Sequence, residues 1–143
     1  MNGRMSQKQT HEKGPRLGQR NTRQRDVILD AIRSARGPLA VSGILPRAAK
    51  EIPGIGIATV YRTIKLLMEQ GRISAVILPT GETRYEVHGL SHHHHFQCTV
   101  CGQVFCLDFC PFTGSGRARL PGGFHVESHA ITTYGKCPDC GRK

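Results

Sequence analysis

The sequence is poor in acidic residues, has no tryptophan and contains no long hydrophobic run. Its 143 residues include 10 Asp and Glu against 20 Lys and Arg, so the formal net charge is +10 with the eight histidines neutral. No apolar stretch approaches the roughly 20 residues that span a bilayer, and the amino end lacks a secretory apolar core. These absences exclude transmembrane, collagen-like and coiled-coil proteins, and we expect a cytoplasmic protein with no membrane partner.

Cysteine and histidine are concentrated in one part of the chain. All six cysteines and seven of the eight histidines lie between His88 and Cys140. Because the cytosol keeps thiols reduced, this pattern favours metal ligation over a disulfide framework. We therefore predict a boundary near residues 88–91, between a basic amino half and a metal-binding carboxyl half.

The amino end predicts a basic tail. The first 25 residues contain seven Arg or Lys, one acid, Glu12, and almost no large apolar residue. Such a segment buries too little surface to offset its ordering entropy, so we predict disorder over residues 1–20. Its charge suits phosphate groups, although a tail that is merely solvated explains it equally well.

Three helices and a hairpin are predicted next. Thr22 is a possible N-cap of the first helix, the second covers residues 42–50 with Pro46 in its opening turn, and the third covers 58–70. Alternating apolar residues around a Pro-Thr-Gly turn then predict a β-hairpin over residues 73–87. This order is typical of a winged helix-turn-helix. The predicted fold class is α+β, with a winged-helix DNA-binding domain over residues 21–88 and a small α/β dimerisation domain over 89–143.

The third helix presents a polar and basic face opposite its apolar one. We predict DNA contacts by side chains of this helix and of the hairpin: Thr59, Tyr61, Arg62, Lys65 and Arg84. The alternative for Tyr61 is that it packs partly against its own domain.

Two Cys-x-x-Cys-Gly motifs predict a structural zinc site. The four ligands are Cys98, Cys101, Cys137 and Cys140. Each motif forms a tight turn in which two thiolates can share a tetrahedral ion. The 35 residues between Cys101 and Cys137 exceed the roughly 15–20 of a compact ribbon, so strands or a helix must lie between them. Disulfides or redox thiols are the alternative.

Four consecutive histidines, His92 to His95, form a second ligand cluster. Alternation along a strand would direct His92 and His94 to one side and His93 and His95 to the other, so the run can serve two sites. By the same alternation, His125, Glu127 and His129 would share a face of a later strand. A purification-tag remnant is the alternative for the His run.

Several motifs, in order, resemble the ferric uptake regulator family of metal-dependent repressors. The resemblance covers roughly residues 21–141. It rests on Thr22-Arg23-Gln24-Arg25, Ala58-Thr59-Val60-Tyr61-Arg62-Thr63, Gly81-Glu82-Thr83-Arg84-Tyr85-Glu86, the His run followed by Phe96-Gln97-Cys98, Ser128-His129, and Tyr134-Gly135-Lys136-Cys137.

The resemblance implies a homodimer in which a regulatory divalent metal closes two DNA-binding halves onto a palindromic operator in double-stranded DNA. It also implies the ligand sets. Cys98, Cys101, Cys137 and Cys140 match the family's structural zinc site. Glu86, His93 and His95 match its hinge sensor site, with Cys106 where many members carry Glu, and His92, His94 and His129 match a second site in the dimerisation half.

Two departures from the family pattern bear on the metal. No histidine lies between His11 and His88, where many members take a hinge ligand, and the acidic ligand expected near residues 113–116 is absent, so that Cys110 or Asp108 would replace it. A donor set rich in imidazole and thiolate favours Zn²⁺ over Fe²⁺ or Mn²⁺.

We therefore predict a repressor of metal-homeostasis genes that senses zinc. The alternatives are an iron-, manganese- or peroxide-sensing relative, or a constitutive zinc-ribbon nucleic-acid binder. A zinc enzyme with Glu86 as general base is disfavoured, because no His-Glu-x-x-His motif occurs and the winged module would be unexplained.

Overall fold

The computed structural model describes residues 17–110 and 121–142, with side chains from residue 21 onward. The amino half consists of helices α1 (Leu17–Arg33), α2 (Val41–Glu51) and α3 (Ile57–Glu69), followed by strands β1 (Ile73–Ile77) and β2 (Thr83–Val87). The two strands pair antiparallel, with Ile73 opposite Val87 and Ile77 opposite Thr83. Within the described residues, no helix has the length and apolar content needed to cross a bilayer.

One apolar core holds the amino half together. Buried side chains at helical spacing, such as Ile28 and Ile32 of α1 and Val60, Ile64 and Leu67 of α3, meet in its centre. Burying each such side chain stabilises the fold by about 1.5–3 kcal/mol. The predicted hairpin is confirmed, and the three predicted helices are present.

The helix α1 begins five residues earlier than the predicted N-cap Thr22. Thr22 lies inside the helix, where its hydroxyl accepts a hydrogen bond from Arg25 at 3.2 Å. Once a helix is nucleated, extending it is easy until a breaker intervenes, and the nearest such residue towards the amino end is Pro15. Residues 17–20 were predicted as tail and are helical instead, while the rest of the predicted tail lies outside the described residues.

Pro46 was predicted in the opening turn of α2, and this is wrong: it is the sixth residue of the helix. A proline at this position removes one hydrogen bond to the preceding turn. The helix persists because Val41, Ile44 and Ala48 are buried against the core.

The carboxyl half contains a three-stranded sheet. Its strands are β3 (His94–Cys98), β4 (Val104–Leu107) and β5 (Thr132–Gly135), and the short helix α4 (Pro138–Gly141) follows. The strand β3 is central, antiparallel to β4 and parallel to β5. Strands therefore lie between the two cysteine motifs, as predicted. The predicted alternating strand through His125, Glu127 and His129 is absent, because β5 begins only at Thr132. Residues 113–116, where the family pattern would place an acidic ligand, lie outside the described residues.

The two halves touch through the loop between α1 and α2. The backbone N–H of Cys106 donates to the carbonyl of Arg36 at 2.9 Å. Gly37 packs so tightly on β4 that an added Cβ would lie 2.3 Å from the carbonyl oxygen of Val104. No side chain fits here, so a glycine is required at this crossing.

Replacing Gly37 by alanine is expected to destabilise the chain by about 1–3 kcal/mol, because the new methyl group must displace the β4 backbone. Urea unfolding followed by circular dichroism measures this loss. Gly56→Ala is the matched control, since nothing lies within 4 Å of its Cβ position. Equal losses in both variants would contradict the proposed close contact.

Candidate metal centres

Within the part of the chain that the structure describes, three groups of four potential ligands lie in or beside the carboxyl half. In each group the ligand atoms lie within 4.8 Å of one another. The first, the four-Cys cluster, comprises Cys98, Cys101, Cys137 and Cys140. The second, the hinge cluster, comprises Glu86, His93, His95 and Cys106. The third, the sheet-edge cluster, comprises His92, His94, Cys110 and His129.

Two tight turns build the four-Cys cluster. In the first turn, Gly102 adopts a φ of +71° and its N–H donates to the carbonyl of Cys98 at 3.0 Å. In the second, the N–H groups of Cys140 and Gly141 donate to the carbonyl of Cys137 at 3.0 and 2.8 Å. The turns meet where the N–H of Cys137 donates to the Cys98 sulfur at 3.4 Å. All four cysteines are free thiols, so the disulfide alternative does not describe this structure.

The electrostatics of the four-Cys cluster fit a bound cation. Hydrogen bonds from the backbone N–H groups of Cys101 and Cys137 lower the pKa of Cys98 to about 6. Hydrogen bonding with Cys137, burial and the other thiols raise the pKa of Cys140 to about 12. One thiolate is thus stabilised by the backbone, whereas four adjacent thiolates need a cation. A closed tetrahedral set of four sulfurs is the structural zinc arrangement.

The hinge cluster joins the two halves of the chain. Glu86, on β2, places one carboxylate oxygen 3.3 Å from His93 Nε2, 3.1 Å from His95 Nε2 and 3.9 Å from Cys106 Sγ. His95 and Cys106 meet because they are register partners in the β3–β4 pair. His93 Nδ1 lies 2.8 Å from the carbonyl of Ser91, which fixes the ring with Nδ1 protonated and Nε2 directed at the cluster.

The neighbours of each ionisable group in the hinge cluster shift its pKa. Burial disfavours the charge on Glu86, but hydrogen bonds and charges of His95 and His93 outweigh it and lower its pKa. Burial likewise disfavours a charged His93, but the Ser91 carbonyl and the Glu86 carboxylate raise its pKa. Burial, followed by the nearby carboxylates Glu86 and Asp108, raises the pKa of Cys106 to about 11. Protons therefore occupy the positions that a metal would use.

The sheet-edge cluster is richest in imidazole. His92 Nε2 lies 3.1 Å from His94 Nε2, and His129 Nε2 lies 3.4 Å from Cys110 Sγ. His94 is 1% exposed, and burial together with repulsion by His92 and His129 lowers its pKa. Closely packed imidazoles beside a thiol are suitable ligands for a divalent cation.

The structure brings most of the ligands predicted from the sequence into the three clusters. The alternation of the His run is confirmed, since its odd and even members belong to different clusters. Of the two substitutes considered for the missing acid, the structure brings Cys110 and not Asp108 into the sheet-edge cluster. His88 lies outside all three clusters and its Nδ1 is 2.7 Å from Ser74 Oγ. His125 and Glu127 are outside them as well.

The predicted DNA contacts on α3 share one surface. Tyr61 is 53% exposed, which argues against packing within its own domain, and Arg62 and Lys65 are exposed beside it. Thr59 accepts a hydrogen bond from Arg62 at 3.4 Å. The residues predicted from the sequence include none of α1, whose Asn21, Gln24 and Arg25 line a cleft of about 470 Å³ together with residues of α3. The signal was present, because Arg25 ends the Thr-Arg-Gln-Arg motif.

The structure places Arg84, the remaining predicted DNA contact, apart from this surface. Its side chain is only 12% exposed and lies against the carboxyl half. The guanidinium pairs with Glu82 at 3.1 Å and donates to the carbonyl of Gly102 at 3.0 Å. Alternation on β2 explains this, because Tyr85 packs against the amino-half core and its neighbours must face the other way.

Comparison with known proteins identifies the family. A sequence model described as "Ferric uptake regulator family" matches residues 16–134. The chain belongs to the ferric uptake regulator family. The ferric uptake regulation protein of Staphylococcus epidermidis is 33% identical over 127 residues, covering 88% of this chain and 89% of that protein. The corresponding protein of Campylobacter upsaliensis is 28% identical over 130 residues, covering 88% of this chain and 83% of that protein.

Solved structures of ferric uptake regulator relatives have the same fold. A zinc-bound manganese uptake regulator is 27% identical and superposes with a TM-score of 0.63, covering 80% of this chain and 87% of that one. The Helicobacter pylori ferric uptake regulator superposes with a TM-score of 0.57 at 19% identity, covering 86% of this chain and 85% of that one. Members of the family are metal-responsive transcription regulators that bind DNA as dimers. The prediction of a regulator and not an enzyme is confirmed at this level.

Binding of Zn²⁺ to the hinge cluster is expected to weaken as the pH falls. Because the Cys106 thiol has a pKa of about 11, ligation near pH 8 must release its proton, and affinity should change about tenfold per pH unit. Below the raised pKa of His93 that ring is also a cation, so the dependence steepens. Titration against a chromophoric chelator between pH 6 and 8 measures the slope. Cys106→Asp supplies an already ionised ligand and is expected to lose most of the slope above pH 7, whereas an unchanged slope would contradict the assignment.

Proposed function

We propose that this protein is a zinc-responsive transcriptional repressor that binds palindromic operator DNA as a homodimer. The observation that carries the proposal is the hinge cluster, in which Glu86 of the amino half meets three ligands of the carboxyl half. A ligand set divided between two bodies makes their relative orientation depend on occupancy.

The amino half has the element order of a winged helix-turn-helix, with α3 as the helix that enters the major groove. Supporting this, α3 places Tyr61, Arg62 and Lys65 on an exposed face, away from its buried Val60 and Leu67. Arginine can read guanine edges or contact phosphates, and tyrosine and lysine can contact bases or backbone. The cleft beside Arg25 extends the basic surface onto α1 and is suited to a phosphate group.

The donor atoms favour zinc as the regulatory metal. The hinge cluster offers two imidazoles, one thiol and one carboxylate, and the sheet-edge cluster offers three imidazoles and one thiol. Thiolate and imidazole suit Zn²⁺, whereas Mn²⁺ prefers carboxylate, carbonyl and water oxygens. The all-sulfur four-Cys cluster would hold a structural Zn²⁺ permanently. A bound ion would supply positive charge and a fixed coordination geometry to each cluster.

The chain's own groups explain how occupancy would be transmitted. Glu86 is the only member of the hinge cluster that comes from the amino half. When Cys106 and His93 give up their protons, their lone pairs and the Glu86 carboxylate become available together. Ligation then favours the orientation in which β2 lies against the β3–β4 pair, and that orientation fixes the position of α3 for DNA binding.

The free edge of β5 is the proposed dimerisation surface. Among the described residues, β5 pairs only with β3, so its other edge is unpaired. Tyr134, on β5 itself, is 50% exposed, and two further aromatic side chains of the carboxyl half are exposed: Phe109 at 63% and Phe124 at 69%. An open strand edge that carries an exposed aromatic side chain is a surface that a second copy can cover.

Iron sensing is the second candidate, because the relatives at 33% identity are named ferric uptake regulation proteins. Glu86 would suit either metal. The thiol of Cys106 separates the candidates, since sulfur favours zinc over Fe²⁺ and Mn²⁺.

Arg62→Ala is expected to weaken operator binding roughly tenfold or more, as loss of one base- or phosphate-contacting arginine typically does, while metal content stays unchanged. Fluorescence anisotropy with the duplex upstream of the chain's own gene measures this. Arg33→Ala is the control, because Arg33 is an exposed arginine of α1 paired with Asp30. Undiminished DNA affinity in Arg62→Ala would refute the assignment of α3.

Cys106→Glu is expected to shift metal preference from zinc towards Mn²⁺ by at least about tenfold, because an oxygen donor replaces sulfur. Competition between the two ions, read by elemental analysis after removal of weakly bound metal, measures the ratio. Cys106→Ser serves as a control for loss of the thiol alone. If Cys106→Glu keeps the wild-type ratio, zinc selectivity does not come from this residue.

A further inference from the structure

Arg84 has an environment that DNA binding does not explain. It lies two residues before Glu86 on the same face of β2, and both side chains are 12% exposed. One of them reaches the hinge cluster and the other reaches the four-Cys turn. Both therefore hold β2 on the same carboxyl-half hairpin, which consists of β3, the turn and β4.

The acceptor of Arg84 belongs to the zinc-binding turn itself. Gly102 directly follows Cys101, and its N–H is bonded to the carbonyl of Cys98. Its backbone has a positive φ of +71°, so the direction of its carbonyl is set by the turn. Any ion that fixes Cys98 and Cys101 would therefore fix the oxygen to which Arg84 donates.

Hydrogen bonds hold the Arg84 guanidinium in a fixed position between β2 and the Cys98–Cys101 turn. Its Nη2 donates both to Glu82, at 3.1 Å, and to Gly102, at 3.0 Å. The Nε is buried and has no hydrogen-bond partner among the described residues. A buried cation kept in an incompletely satisfied position indicates that its remaining contacts matter.

The opposite end of the hairpin is held by Glu86. The carboxylate contacts His95 on β3 and Cys106 on β4, which are register partners. Since Arg84 and Glu86 lie on one strand, a shift of the β2 backbone that separates Arg84 from Gly102 also moves Glu86 relative to the ligands beside it. The two metal clusters are thus connected by two residues of one strand.

We propose that Arg84 is a positioning residue that couples the four-Cys cluster to the hinge cluster, so that the structural zinc raises the affinity of the chain for its regulatory metal. The inference rests on the proposed metal binding at the hinge. By thermodynamic reciprocity, occupancy of the hinge must also raise the affinity of the four-Cys cluster for its ion.

The test uses the full-length chain, from which mild chelation has removed all metal except one retained zinc. Every variant also carries His129→Ala, which removes a ligand of the sheet-edge cluster so that the probe reports on the hinge cluster. Cobalt(II) is titrated as the probe, because its visible absorption reports its ligands. Arg84→Met is expected to lower cobalt affinity about tenfold, as loss of a charged hydrogen bond would. Arg72→Met is the matched control, since it removes the same charge from an exposed position just before β1.

The second readout is the equilibrium competition between a strong chelator and the four-Cys cluster for the retained zinc. In the chain with Arg84, saturating cobalt is expected to lower the fraction of zinc that the chelator removes several-fold, and in Arg84→Met this protection is expected to disappear. Equal cobalt affinities in Arg84→Met and Arg72→Met, or no protection in the chain that keeps Arg84, would overturn the inference.

The outcomes separate this inference from the proposed function. If the chain that keeps Arg84 takes up no removable ion, metal sensing at the hinge fails and the coupling fails with it. If it binds cobalt normally and Arg84→Met binds equally well, only the coupling is wrong. DNA affinity lost in Arg84→Met at saturating metal, with metal affinity unchanged, would show that Arg84 contacts DNA and would also overturn the coupling.

Discussion

The contact on which the arrangement of the two halves depends is made by one carboxylate. Glu86 leaves β2 and ends between His93, His95 and Cys106, where its side chain is 12% exposed. A carboxylate placed there needs cationic or hydrogen-bonding partners, because burying an unpaired charge is strongly unfavourable. All of its partners at this position come from the carboxyl half, so the requirement ties the two halves together. Either protons on the neighbouring ligands or a bound metal ion can balance the charge of Glu86. The contact between the halves therefore depends on pH and on metal occupancy.

The halves differ in what stabilises them. The amino half has a core of eleven buried apolar residues drawn from three helices, the loop between α2 and α3, and a strand. In the described part of the carboxyl half, the buried apolar residues are Val104, Cys98 and Cys137, two of which are potential zinc ligands. A sheet with so small a core needs additional ties, and metal ligation supplies them in small domains. The coupling proposed for Arg84 would then connect the metal that stabilises the sheet to the metal that regulates the chain.

Local patterns predicted much of the fold and of the site. Apolar periodicity located the three helices and the hairpin, and period-two alternation divided the His run correctly between two clusters. These features are set by neighbours along the chain, which a sequence displays directly. The start of α1 and the interior position of Pro46 were missed, because helix extension and burial against the core outweighed the local signals.

Features set by contacts between distant residues were less accessible. In the sequence, Arg84 resembles a hairpin arginine that faces DNA, and its contact with Gly102 becomes apparent only from the packing of β2 against the Cys98–Cys101 turn. The choice of Cys110 over Asp108 likewise depends on how the chain after β4 approaches His129. The alternating residues before β5 resembled a strand, yet the sheet already has its third strand at Thr132–Gly135, which pairs with β3.

The central claim is that a removable metal ion, distinct from a retained structural zinc, controls DNA binding. The most direct test is elemental analysis of metal per chain before and after mild chelation, with binding to the duplex upstream of the chain's own gene measured on the same samples. The account predicts two or more ions per chain. One zinc resists removal, whereas removal of another ion abolishes DNA affinity, and adding zinc back restores that affinity. One unremovable zinc with DNA affinity unchanged by chelation would contradict the account and identify a constitutive binder.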